Sequence, residues 1–464
     1  MSERIRVVSP ADGRIVAERS LASDGEIAAL LARARTAQAS WRDVPLASRQ
    51  QLVSAFVDAF ESRAREIAEE ISWQMGRPIA HSPGEIRGLA ERARAMTALA
   101  PEALADVVPA PKDGFTRFVR RDPLGVVLVI APWNYPYLTA VNAVVPAILA
   151  GNAVILRHSA QTPLCAERFD EAFRAAGLPA GVFQVLHCGH ESALRLVASD
   201  GVDFVAFTGS VDGGHAVQRA AATRFIGVGL ELGGKDPAYV RPDAALAYAV
   251  EQLVDGAFFN AGQSCCGIER IYVHADVYEP FVEAYAENVR AYRLGDPLHP
   301  ATTLGPLVRA SAAQLVRYQI AQALSAGATP LIEAKGFPRD AAGTPYLAPQ
   351  VLVDVDHSMR VMTEESFGPV VGIARVRSDD EAVARMNDSR FGLTASVWTQ
   401  DEAAGIALGA RVDTGTWFVN RCDYLDPMLA WTGVKDSGRG CTLSRIGFEQ
   451  LTRPKSFHAK RVSG

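Results

Sequence analysis

Apolar positions along the chain follow two rhythms. Between 23 and 62 they recur at helical spacing. Ile27, Leu30, Leu31, Ala34 and Trp41 share one face behind a Ser23–Glu26 capping box, and Leu52, Phe56 and Phe60 align over 47–62. The first hundred residues therefore read as helical, and the Pro- and Ala-rich passage 101–112 as a connector. From 125 the rhythm changes. GVVLVI at 125–130 is a compact apolar run, the pattern of a buried strand. Further strands are predicted at 153–156, 182–186, 203–207 and 225–230. Between them fall a helix ending at Ala150, one capped by Thr162-Pro163 and stopping at Gly177, and helices over 190–199 and 211–222. Strands alternating with helices of this length imply an α/β fold, a parallel sheet covered on both faces. Such sheets bind ligands beyond the carboxyl ends of their strands, so 131–134, 157–160, 208–214 and Glu231 carry weight.

A second α/β stretch runs from about 233 to 436, and the chain closes on the strand-like tail KSFHAKRV. Composition adds little beyond exclusions. The 464 residues suggest two or three domains. A net charge of -5 without basic blocks argues against nucleic acid or an anionic membrane as partner. The start, MSERIRVVSP, has no signal-peptide pattern, and the apolar passage 125–150 is too broken to span a membrane. Six cysteines are too few for a disulfide framework, so reduced thiols in the cytoplasm are expected. No zinc-ligand spacing appears, and no metal is expected.

Two of those cysteines are adjacent, in NAGQSCCGIER at 260–270. A lone thiol is most often a buried structural residue. Here Gly262 and Gly267 would let a substrate approach the backbone, and Asn260, Gln263 and Ser264 are polar; the segment by itself leaves nucleophile and structural residue both open. Glu231, at the end of an apolar strand and before two glycines, is either a satisfied strand-end carboxylate or a general base made more basic by burial. Asn134, held between prolines in APWNYP, is either a turn residue or an oxyanion donor. TGSVDGG at 208–214 joins strand to helix and can offer backbone N–H groups to a phosphate, although its spacing is not GxGxxG.

In order, PWNYP, FTGS, LELGGK, NAGQSC, EESFGP and a late GVKDSG resemble the aldehyde dehydrogenase superfamily over essentially the whole chain. The resemblance implies a Rossmann-type cofactor domain from 1–104 and 125–232. It also implies a catalytic domain over 233–436, and an oligomerisation piece from 105–124 and 437–464. It makes Cys265 the nucleophile, Glu231 the general base and Asn134 the oxyanion amide. Gly209 and Ser210 match the phosphate loop, Glu365 and Phe367 the nicotinamide ribose and ring contacts. Ile130, Pro132, Trp133, Ser159, Gly189, Phe207 and Leu232 complete the NAD(P)-binding cleft. The implied reaction oxidises an aldehyde to the free acid through a hemithioacetal and a thioester on Cys265.

Four differences separate the chain from the family pattern. The usual Lys-Pro-Ser-Glu is Arg157-His158-Ser159-Ala160, which removes an obstacle to a 2′-phosphate and supplies a cation for it. NADP is therefore expected to be accepted and even preferred over NAD. A common lysine is Ala143, and a common aromatic before it is Asn142, which makes the substrate tunnel more polar. A late glutamate is Thr442. Ser264, Cys266, Leu425 and Trp431 are the other expected substrate contacts, with Cys266 as pocket wall. Arg421 in the loop NRCDYLDPMLAW can recognise a substrate carboxylate, Asp423 and Asp426 an amine, and a solvated loop fits equally. Alternatives are an acylating enzyme that passes the thioester to coenzyme A, a thiol esterase, or a silent scaffold. Glu231 speaks against the first, the absence of a partner histidine against the second, and the intact trio against the third. A homodimer or homotetramer is expected, since a lone subunit would leave strand edges exposed.

Overall fold

The computed structural model describes residues 4–462. The chain opens not on a helix but on an antiparallel pair, Arg4–Val8 with Ile15–Ser20. Apolar residues there alternate with period two, and Ile5, Val7 and Ala17 form a small buried cluster, so strand pairing wins over the helical reading. Helices Asp24–Trp41, Leu46–Glu61, Ala64–Met75 and Pro83–Ala103 follow. The capping box forms: Glu26 N–H donates to Ser23 Oγ at 3.3 Å, and Ser23 N–H to Glu26 Oε2 at 2.8 Å. The expected connector begins late, because the fourth helix carries Pro101 in its last turn.

The first sheet has six strands in the order Gly438–Arg439, Gly227–Glu231, Phe204–Thr208, Val126–Ala131, Ala153–His158, Phe183–Val185. All pairs are parallel except the first. The chain winds outward from Val126–Ala131 to one side and then returns to its other flank. The carboxyl end of that strand is thus the topological switch point, where a crevice opens. The second sheet has seven strands in the order Thr329–Pro330, Gln350–Val353, Val370–Val376, Ile268–His274, Asp236–Val240, Thr394–Trp398, Thr416–Val419, parallel but for the first. Both sheets bury near-continuous apolar strands, as two-sided coverage requires.

Phe115–Pro123 and Thr452–Lys460 form a separate antiparallel ribbon, with Phe118 stacked on Phe457 at 4.5 Å. The start of the C-terminal segment, Gly438–Arg439, instead joins the first sheet beside Glu231. Thr162 does not cap the helix Pro163–Ala175 through its side chain. Its hydroxyl lies 3.1 Å from His158 Nδ1, which competes for it. No helix among the described residues is long and apolar enough to cross a membrane.

Candidate active site

Cys265 lies beyond the helix Leu246–Phe258, in a loop that reverses sharply. Asn260 and Ala261 take left-handed backbone angles, φ 54° and 55°, and Gly262 follows at φ 70°. A Cβ on Gly262 would sit 2.3 Å from the carbonyl oxygen of Gly368, so only glycine fits. Asn260 Nδ2 donates to Gln263 O (3.2 Å) and Asn134 O (3.3 Å), and Gln263 Oε1 accepts from Val308 N–H at 2.8 Å. The loop is thereby rigid before any substrate arrives. Cys265 is half-buried and opens onto a cavity of about 390 Å³.

Asn134 reaches the same loop from the switch point. Its Nδ2 donates to Gln263 O at 3.2 Å, which leaves the second amide N–H for an oxyanion. Its own carbonyl is held by the Arg77 guanidinium, whose Nη1 is paired with Glu85 at 2.7 Å. Glu85 also accepts the N–H groups of Tyr137 (3.1 Å) and Leu138 (3.0 Å), at the start of the helix Pro136–Ala150. Asn134 itself is buried and does not line the large cavity.

Glu231 ends the strand Gly227–Glu231, flanked in the sheet by Thr208 and Gly438. Thr442 Oγ1 donates to its Oε1 at 2.6 Å, and Thr208 Oγ1 to its Oε2 at 3.2 Å. Burial raises its pKa, while those two hydroxyls and the Arg92 charge pull the other way. Glu231 borders both the large cavity and a small void of about 20 Å³ lined by Ile130, Ala143, Phe207 and Thr442. The void lies where Ala143 carries no long side chain. Thr442 and Thr208 thus do the orienting that the sequence left unassigned.

Of the expected substrate residues, Asn142, Cys266, Leu425 and Trp431 line the large cavity with Cys265 and Glu231; Ser264 does not. Cys266 is buried and its thiol donates to Asp423 Oδ1 at 2.9 Å, while Ser264 Oγ donates to the same oxygen at 3.2 Å. The bond to Cys265, followed by burial, drives the Cys266 pKa well up. That holds Cys266 as a protonated wall residue. Burial lifts the Asp423 carboxyl to about 7. For Arg421 the structure matches the solvated-loop alternative. It is exposed, stacks on Tyr424 at 3.5 Å and stays out of the cavity.

The expected cofactor residues gather at the switch point and its flanks. Trp133 meets Phe367 edge to face at 5.6 Å. Glu365 is held against the backbone, its Oε1 accepting Gly234 N–H at 3.0 Å, and burial followed by the Glu269 charge raises its pKa to about 8. That loop hangs on a buried ion pair the sequence reading missed. Lys235 pairs with Glu269, which accepts the N–H groups of Ser366 (2.8 Å) and Phe367 (2.9 Å). Gly209 and Ser210 precede the helix Val211–Ala221. Gly209 N–H is committed to Glu231 O at 3.0 Å, and Ser210 Oγ accepts from Gly213 N–H, so the expected phosphate-loop serine serves as a helix cap. A Cβ at Gly209 would meet the Phe207 ring at 2.7 Å. Arg157 is buried, with Nη2 donating to Cys188 O at 3.3 Å and Nε unpartnered. Gly189 caps the helix His190–Ala198 beside it, and Leu232 is buried with its N–H on Ser437 O. Pro132 and Ser159 are half-buried, and Ala160 is exposed in the turn after the strand Ala153–His158.

The residues missed were Arg77, Glu85, Arg92 and Glu269, while Thr208 and Lys235 lie in segments the sequence singled out without a role for either. All are buried or half-buried polar side chains in apolar or helical contexts. An acid and a base at helix spacing, Glu85 and Arg92, was the one available signal for two of them.

The sequence model of the aldehyde dehydrogenase family matches residues 1–457. A succinate-semialdehyde dehydrogenase [NADP(+)] of Mycobacterium avium (strain 104) is 35% identical over 455 residues, 97% of this chain and 96% of that one. Among solved structures, an NADP-dependent glyceraldehyde-3-phosphate dehydrogenase from Bacillus halodurans C-125, complexed with NADP, superposes with a TM-score of 0.93 at 32% identity, over 99% of this chain and 96% of the other. An NAD-dependent aldehyde dehydrogenase from Sinorhizobium meliloti gives a TM-score of 0.95 at 33% identity, over 100% and 92%. A match over nearly the full length, in sequence and in fold, leaves no part of the chain outside the comparison: it belongs to the aldehyde dehydrogenase family, oxidoreductases that carry an aldehyde to its acid with a nicotinamide cofactor.

Proposed function

We propose that this protein oxidises its aldehyde through Cys265, with Asn134 and Glu231 as partners, and that it works with NADP⁺. The Cys265 thiolate adds to the aldehyde carbon and forms a hemithioacetal. The free amide N–H of Asn134, with the backbone N–H of Cys265, stabilises the oxyanion, an effect worth about 3 kcal/mol per donor. NADP⁺, which Arg157, Glu365 and Phe367 would help to hold, would supply the two-electron oxidation by accepting hydride from the hemithioacetal carbon, so that a thioester remains on Cys265. Glu231 then takes a proton from water as that water attacks the thioester carbon, and the acid leaves.

The single observation that carries the cofactor reading is Arg157. It is a buried guanidinium with an unpartnered Nε and no carboxylate within 4 Å among the described residues, at the end of a strand where Ala160 offers no competing acid. Such a fork matches a phosphate monoester. The relative named for NADP⁺ and succinate semialdehyde supports the same reading. The test compares kcat/KM for NADP⁺ and NAD⁺ in the wild type and in Arg157→Ala. The expected result is NADP⁺ at least equal to NAD⁺. The variant should lose about 30-fold on NADP⁺ relative to NAD⁺, the value of one charged contact of about 2 kcal/mol. A wild type that strongly prefers NAD⁺ contradicts the proposal.

A further inference from the structure

The large cavity contains a cation that the reaction above does not use. Arg92 lies on the helix Pro83–Ala103, two turns after Glu85. That helix packs tightly against Pro136–Ala150, since a Cβ on Gly88 would come 2.4 Å from Leu138 Cδ2. The close approach drives the Arg92 side chain under the second helix. It is 8% exposed there, with Nη1 donating to Leu138 O (2.7 Å) and Asn142 Oδ1 (3.3 Å).

Two of the other buried arginines are satisfied where Arg92 is not. Arg77 has Glu85 at 2.7 Å, and Arg270 donates to backbone carbonyls through Nε and both Nη atoms. Arg92 has no carboxylate within 4 Å among the described residues, and its two bonds leave three N–H groups unused. Asn142, which turns its oxygen to Arg92, has a buried Nδ2 with no partner. Tyr135, on the wall of the same cavity, has a buried hydroxyl with no partner. A buried charge without a counter-ion is unfavourable, and orphaned buried donors cost about 1 to 3 kcal/mol each. A guanidinium with three free N–H groups on the wall of one cavity, beside two orphaned polar groups buried just behind that wall, describes the complement of an anion.

The acids of the cavity are otherwise engaged or remote: Glu231, whose pKa the Arg92 charge lowers, forms no ion pair with it and takes Thr442 and Thr208 on its two oxygens. Glu85 is saturated by Arg77 and two backbone N–H groups. Glu91 and Asp255 are exposed, and Asp423 is occupied by Ser264 and Cys266.

We infer that Arg92, with the amide of Asn142, receives a carboxylate at the far end of the substrate, so that this enzyme selects acid-terminated aldehydes over uncharged ones. The inference rests on the reading of Cys265 as nucleophile, because both groups open onto one cavity. Arg92 is a specificity residue in this scheme and takes no part in bond making.

The test measures kcat/KM with NADP⁺ for 4-oxobutanoate, butanal and 4-aminobutanal. The wild type is expected to favour 4-oxobutanoate over butanal by at least about 100-fold, with 4-aminobutanal worst. In Arg92→Gln the ratio of 4-oxobutanoate to butanal should fall about 30-fold, and Arg92→Lys should restore part of it. A purely structural role would depress both aldehydes together and leave the ratio where it was, which overturns the inference. Should the variants fold poorly, the wild type still decides. Succinate must compete with butanal at concentrations where succinamide does not, and equal inhibition by the two rejects the anion site. If the wild type oxidises butanal as well as 4-oxobutanoate, the inference fails and the dehydrogenase reading stands. If it oxidises no aldehyde, the reading of Cys265 fails with it.

Discussion

Replacing Thr442 by valine would remove one hydroxyl and keep the side-chain shape. In the native protein that hydroxyl donates to Glu231 Oε1 at 2.6 Å. The bond favours the carboxylate over the neutral acid, so it opposes the upward push of burial on the Glu231 pKa. A bond to a charged group is worth about 1.5 to 3 kcal/mol, and one pKa unit is about 1.4 kcal/mol, so the loss raises the pKa by about one to two units. Thr208 still donates at 3.2 Å and the neighbouring void can admit a water, which favours the lower figure of about one unit. Only ionised Glu231 can take the proton from water. Thioester hydrolysis is therefore present above the Glu231 pKa and lost as pH falls through it. In Thr442→Val the acidic limb of single-turnover acyl-enzyme hydrolysis should move up by about one pH unit. Thr208→Val should move it the same way by less. An acidic limb that stays in place in both variants would refute the assignment of Glu231 as the titrating base.

Two further outcomes follow from packing. Gly262→Ala places a methyl 2.3 Å from Gly368 O at a left-handed φ of 70°, so it should displace the Cys265 loop against the Glu365 loop, with activity down at least about 100-fold and a lowered melting temperature; both are read by kinetics and calorimetry. The ribbon Phe115–Pro123 with Thr452–Lys460 leaves exposed strand edges, so light scattering should find a homodimer or homotetramer, and a monomer would contradict that use of the ribbon.

What could be read from the sequence divides by range. The first parallel sheet was legible because its strands are short, largely apolar runs between helices of regular period. The residues at strand ends, Asn134, Glu231 and Arg157, were legible because topology concentrates chemistry there. The N-terminal strand pair was not, since its two short segments carry little signal until they pair. The supports of the site were also hidden. Lys235 and Glu269 lie 34 positions apart and Arg77 reaches Asn134 across 57, so neither contact leaves a local pattern. Arg92 looked like one more polar residue on an amphipathic helix. Its meaning depends on how closely Gly88 lets the next helix approach. Arg421, open in the sequence between a carboxylate contact and a solvated loop residue, is turned outward onto Tyr424 by the fold.

The account turns on a covalent link between one sulfur and the acyl group, resolved by one carboxylate. Glu231→Gln, mixed with NADP⁺ and an aldehyde, should build up one acyl group per subunit and stop. Peptide mass analysis should then place the added mass on Cys265 and leave its neighbour Cys266 free. An acyl group on Cys266, or no adduct at all while reduced cofactor accumulates, would contradict it.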